Sequence, residues 1–144
     1  MILKKNNLIK FFKDKTKIAY CEIKNNSGSS PREKGTWMLI SSKGEIFGTI
    51  GGGQLEFNLI NNVINQNWNN DFKFEIETTL GPDIAQCCGG KVVVSIQKLN
   101  FILSQKLIER IEKNYSDTTS VLIFGAGNIG TSLSLQMYNL PLRV

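Results

Sequence analysis

Histidine is absent from all 144 residues. That gap removes serine–histidine and cysteine–histidine nucleophile pairs, imidazole general bases and every zinc site that takes a histidine ligand. Cysteine is scarce, with Cys21, Cys87 and Cys88 the only thiols. Three thiols fall one short of an all-cysteine, four-ligand zinc site. An odd number with no signal-peptide core argues against a disulfide scaffold and for a reducing compartment, so the expected location is cytoplasmic. The basic N-terminus has its apolar run broken by Lys10 and Lys13, and no apolar run approaches membrane-spanning length, so no membrane partner is expected. The 17 basic residues outnumber the 12 acidic ones, giving a net charge of +5, but they are scattered and form no dense patch. With neither a recognition motif nor basic–aromatic interleaving, a nucleic-acid partner is not expected. A hydrophobic share of 41% with 9% aromatics excludes a disordered chain.

What is present centres on the loop Leu80–Gly90 (LGPDIAQCCGG). It joins two apolar, β-rich runs and carries Gln86, Cys87 and Cys88 against two glycines. Glycine lets the backbone take conformations closed to other residues and lets a ligand approach. Adjacent thiols in such a loop suit ligand handling better than burial. Direct adjacency also differs from the two-residue spacing of thioredoxin-type redox pairs.

The remaining chain reads as strand, hairpin, helix, strand, loop, strand. Leu8, Ile9 and Phe12 recur at helical spacing. Thr16–Lys24 is β-prone, its alternation placing Ala19, Cys21 and Ile23 on one face, so Cys21 is expected to be a buried core residue. Asn25–Gly35 is a turn-rich loop in which Arg32 offers a forked contact to a phosphate or carboxylate, against the plainer reading of a solvated loop. Thr36–Ile40 and Glu45–Ile50 pair around Lys43-Gly44. Gly51, Gly52 and Gly53 then stand at a strand-to-helix junction, ahead of Leu55, Leu59, Ile60, Val63 and Ile64. Each glycine costs roughly 0.5–1 kcal/mol inside regular structure. One glycine would serve a tight turn, so three shift the balance towards an anion or cofactor site at a helix N-terminus. Glu56 lies in the first helical turn, where an acidic residue is also ordinary helix chemistry. Phe72–Leu80 alternates as a strand, and Lys91–Ile96 carries a Val92–Val94 run suited to cover on both faces.

A small mixed α/β domain is therefore expected over 1–99, with a helix through Leu103, Leu107, Ile108 and Ile111 and a linker at Asn114–Thr119 filling 100–119. Residues 120–144 begin a different unit. Ser120–Phe124 reads as a strand feeding Gly125, Gly127 and Gly130 in a G-x-G-x-x-G turn before a helix, the opening β-α of a Rossmann-like domain. The acidic residue that would grip a ribose belongs about 20 residues further on, past Val144. The nucleotide site is thus expected to be incomplete: a truncated chain, a site finished by another copy, or a segment packed on the first domain. An NAD(P)-binding oxidoreductase fragment is the alternative function these glycines raise.

Three segments together, Gly28–Gly35 (GSSPREKG), Gly48–Glu56 (GTIGGGQLE) and Leu80–Gly90, resemble the XdhC/CoxI family in order, spacing and identity over roughly residues 16–97. VLIFGAGNIG resembles the start of that family's C-terminal Rossmann domain, although the family often has histidine where Asn128 stands. The resemblance implies an accessory protein rather than an enzyme. Such a protein binds molybdenum cofactor (molybdopterin), assists its sulfuration and inserts it into a xanthine dehydrogenase-type apoenzyme, working with a cysteine desulfurase. A homo-oligomer is expected. Under that reading Cys87 or Cys88 ligates molybdenum or passes a persulfide sulfur, soft thiolates suiting a sulfur-rich metal. Gly51–Gly53 hold the cofactor phosphate, and Gln86, Glu56 and Arg32 complete the site.

Overall fold

The computed structural model describes residues 5–28, 30, 32–81, 89–116, 121–125 and 127–137. The chain divides into two units, residues 11–100 and residues 1–10 with 101–144.

The larger unit is a five-stranded antiparallel sheet in the order β3-β2-β1-β5-β4. Its strands are β1 (Ile18–Ser27), β2 (Trp37–Ser41), β3 (Ile46–Gly48), β4 (Lys73–Thr79) and β5 (Lys91–Lys98). Alternation decides which side chains go inside. Ala19, Cys21, Ile23, Met38, Ile40, Val92, Val94 and Ile96 share one face, and helix α2 (Gly53–Ile64) lays Leu55, Leu59 and Val63 on it. Leu59 is 1% exposed, and burying such a side chain contributes about 1.5–3 kcal/mol. The other face of β1, β2 and β3 carries aromatic contacts: Tyr20 lies 6.1 Å from Trp37, Trp37 6.1 Å from Phe47, and Phe47 5.8 Å from Phe11 of helix α1 (Lys5–Asp14).

Two features of the sheet depart from the sequence reading. β1 runs on to Ser27, with Asn25, Asn26 and Ser27 pairing with Val93, Val92 and Lys91 after a register shift between Ile23 and Asn25. These are poor strand formers in isolation, and β5 supplies the backbone partners that override their turn preference. Val93 is half-buried while Val92 and Val94 are fully buried, so the valine run is sealed on the α2 face and only partly covered on the other.

The β2–β3 turn forms around Lys43-Gly44 as expected. Gly44 has φ +82, and Ser41 organises the turn: its Oγ accepts from the Lys43 and Glu45 amides at 3.2 and 3.1 Å and donates to Glu45 Oε2 at 2.9 Å. Lys15 completes this group by an ion pair with Glu45, and together Lys15 and Ser41 hold the Glu45 carboxyl below its usual range.

In the smaller unit, helix α3 (Phe101–Ser116) buries Leu107 and Ile111, and Lys5 pairs with Glu112. α3 continues through Asn114 to Ser116, where a linker was expected, because no glycine or proline stops it. Helix α4 (Asn128–Met137) follows the glycine turn. Residues 121–124, the described part of the strand expected at Ser120–Phe124, form none, and Leu122 and Phe124 are 76% and 89% exposed. A strand needs a hydrogen-bonded neighbour, and no described segment pairs with this one.

Candidate functional site

The strand registers bring the three motifs to one end of the sheet. Glu22 faces Trp37, Met38 faces Gly48, Ser27 faces Lys91 and Thr79 faces Lys91. The exits of β1, β3 and β4 and the entries of β2 and β5 therefore lie together. The β1–β2 loop with Arg32, the glycine turn after β3 and the connection carrying Cys87 and Cys88 all spring from that end.

The neck of the cysteine connection is well defined. Leu80 N donates to Gly90 O at 2.7 Å, and Gly89 N donates to Leu80 O at 2.8 Å. Leu80 is fully buried and anchors the neck in the core cluster that also contains Ile50 and Leu55. Gly89 sits at φ +66, so a glycine is required where the chain re-enters β5. Gln86, Cys87 and Cys88 lie outside the described residues. Lys91, the first residue of β5, pairs with Glu77 at 2.7 Å on the strand beside it.

Gly28 links this neck to the β1–β2 loop. Its φ is +68, and a Cβ there would stand 3.1 Å from the Gly90 Cα. Beyond Gly28, the Arg32 carbonyl accepts from Ser30 Oγ at 2.8 Å and Asn26 Nδ2 at 3.3 Å, which fixes the loop backbone. The Arg32 side chain is exposed and makes no ion pair among the described residues.

The glycine turn differs from the expected arrangement in two respects. Gly51, Gly52 and Gly53 all have positive φ, at 137°, 80° and 64°, so backbone conformation alone requires glycine at each position. Secondly, the Ile50, Gly51 and Gly52 amides are engaged. Glu56 Oε1 accepts from Thr49 Oγ1 at 2.6 Å, from Ile50 N at 2.9 Å and from Gly52 N at 2.8 Å. Gly51 N reaches Thr49 Oγ1 at 3.3 Å. Glu56 is thus a clasp on the turn as well as a first-turn acidic residue. Its spacing from Thr49 is the sequence signal for this contact, akin to an acidic side chain reaching back to a helix start.

Cys21 is fully buried, as the alternation of β1 predicts, and burial pushes its thiol up to about 12. It is an inert core thiol.

In the other unit Gly125 has φ +104, and a Cβ on Gly130 would run into the Gly125 carbonyl. Thr131 N donates to Gly127 O at 2.9 Å as α4 begins. The spacing of Gly125, Gly127 and Gly130 therefore serves a tight turn packed directly against its helix.

The fold defines a class: a small mixed α/β domain with an antiparallel sheet, one covering helix and its motif-bearing loops at a single sheet end. The family resemblance is found over part of this domain, where residues 12–65 match the XdhC and CoxI family. The chain also resembles the crystal structure of a xanthine dehydrogenase from Bacillus halodurans, with a TM-score of 0.62 and 21% identity over 78% of this chain. That likeness covers 35% of the Bacillus protein, so this chain spans about a third of its length. No curated protein matches the chain. Among the described residues, no helix is long and apolar enough to cross a membrane.

Proposed function

We propose that this chain is an accessory protein of molybdenum-hydroxylase maturation, holding molybdenum cofactor for delivery to a xanthine dehydrogenase-type apoenzyme without turning over a substrate. The observation that carries the reading is that the strand ends bearing the three family-like segments lie at one end of the sheet, with Gly90 at the neck of the Cys87-Cys88 connection packed on Gly28. The match of residues 12–65 to the XdhC and CoxI family supports the same reading.

The chemistry divides between sulfur and charge. Cys87 and Cys88 are the soft donors that suit a sulfur-rich molybdenum centre, or that carry a persulfide received from a cysteine desulfurase. The anionic end of the cofactor is assigned to Arg32, whose guanidinium is exposed on the loop packed against the neck. Gly51–Gly53 shape the neighbouring turn, and Gln86 lies next to the thiols in the chain. In a homo-oligomer, such sheet ends would be presented more than once to the client enzyme.

The test is to purify the protein from a molybdenum-competent host and assay oxidised-pterin fluorescence after extraction. Wild-type protein should retain pterin, and Cys87→Ala or Cys88→Ala should lose most of it. Equal retention in both variants removes the thiols from the site, and no pterin in the wild type removes the proposal.

A second reading rests on the other unit, where the contact of Gly130 with the Gly125 carbonyl builds the turn a dinucleotide-binding site uses. Calorimetric titration with NAD(H) and NADP(H) tests it, and saturable binding would favour an NAD(P)-binding fragment.

A further inference from the structure

An amide-lined turn of consecutive glycines at a helix start is the kind of backbone nest that takes anions. Here three of its amides, those of Ile50, Gly51 and Gly52, are taken from within the chain. We infer that Glu56 is the resident anion of the glycine turn, and that free phosphate enters this turn only when that carboxylate is removed.

The geometry carries this in three steps. A single oxygen, Glu56 Oε1, collects the Thr49 hydroxyl and the Ile50 and Gly52 amides at 2.6–2.9 Å. Hydrogen bonds to a carboxylate are among the stronger ones available to a backbone amide. Next, Gly51 N is committed to Thr49 Oγ1, the same hydroxyl that donates to Glu56, so the turn and the clasp form one network. Finally, Glu56 is held on α2, only four residues from Gly52. A tethered group competes at an effective concentration that dissolved phosphate does not reach at ordinary levels. Access is not the obstacle, because nothing lies within 4 Å of a Cβ placed on Gly52.

The consequence is a division of labour within the turn: the Ile50 and Gly52 amides hold Glu56 and are closed to an anionic ligand group while that carboxylate is in place. The inference stands whether or not the chain carries molybdenum cofactor, because its readout is inorganic phosphate at two named amides.

The experiment is a titration of the full-length protein with inorganic phosphate at constant ionic strength, followed by amide NMR. In wild-type protein the Ile50 and Gly52 amides should not shift. In Glu56→Ala they should shift saturably, with affinity for phosphate raised roughly 10–100-fold, the equivalent of losing a charged hydrogen-bond competitor. Saturable shifts of these amides in the wild type overturn the inference, as does a folded Glu56→Ala protein that phosphate leaves unmoved. If Glu56→Ala does not fold, Glu56→Gln takes its place. Loss of the charge should then let phosphate move both amides more than in wild type, and equal responses overturn the inference.

Discussion

Gly28 and Gly90 meet backbone to backbone: a Cβ on Gly28 would stand 3.1 Å from the Gly90 Cα. That contact sits between the last pair of β1 and β5, Ser27 with Lys91, and the neck from which the cysteine connection rises. It ties a loop early in the sequence to one much later.

Gly28→Ala should therefore be worse than Gly89→Ala, although both positions have positive φ. Each alanine incurs strain of about 1–3 kcal/mol. Only the first also pushes on Gly90, since nothing lies within 4 Å of a Cβ on Gly89. Urea denaturation of the two variants should place the Gly28→Ala midpoint lower; the reverse order would mean that the Gly28 contact has no energetic weight.

Thr49 holds the Glu56 clasp closed from the other side. Thr49→Val keeps the shape and removes a hydroxyl that both donates to Glu56 and accepts from Gly51. A loss of about 1–3 kcal/mol is expected, because polar partners are left unsatisfied in a half-buried turn. Hydrogen exchange at Gly51 and Gly52 should speed up through local opening, and the amides of β5 only by as much as global stability falls.

The Cys21 thiol should be silent until the sheet opens. In a Cys87→Ser/Cys88→Ser background, a thiol reagent should label no cysteine in native protein and one after denaturation. Its pH signature has a defined sign. The folded-state value is raised from 9.0 to about 12, so the contribution is fully present below pH 9 and is lost as pH rises from 9 towards 12. Compared with Cys21→Ala, wild-type protein should lose up to about 1.4 kcal/mol more per pH unit in that window. Parallel pH profiles would place the thiol in water.

Glu45 works in the opposite direction. Lys15 and Ser41 lower its folded-state value, so its contribution is present above the usual carboxylate range and fades as pH falls through it. Wild type and Glu45→Gln should differ in Tm at neutral pH and converge in acid. Added salt should narrow the neutral-pH difference, since the carboxylate is exposed to solvent.

Much of the larger unit could be read before any coordinates. The alternation of Ala19, Cys21 and Ile23 named the core face of β1, the spacing of Leu55, Leu59, Ile60, Val63 and Ile64 named helix α2, of which Leu55, Leu59 and Val63 are buried and Ile64 is exposed, and Lys43-Gly44 named the hairpin turn. Each rests on a short-range periodicity that burial imposes directly on residue type. The three motifs were legible as segments with ligand-like composition. Their meeting at one sheet end was not, because strand order depends on pairings across tens of residues that no local spacing records.

The sequence by itself determined the buried face of β1, the turn at Lys43-Gly44 and which family its segments resemble. Only the tertiary structure decided what those features face. β5 drew Asn25–Ser27 into the sheet against their own preference, because paired backbone groups outweigh local turn propensity. The positive φ angles of Gly51–Gly53 gave each glycine a backbone reason, and Glu56 took the Ile50 and Gly52 amides. Glycine composition signals backbone freedom and close approach; which atoms make the approach is set by where folding brings the nearest carboxylate.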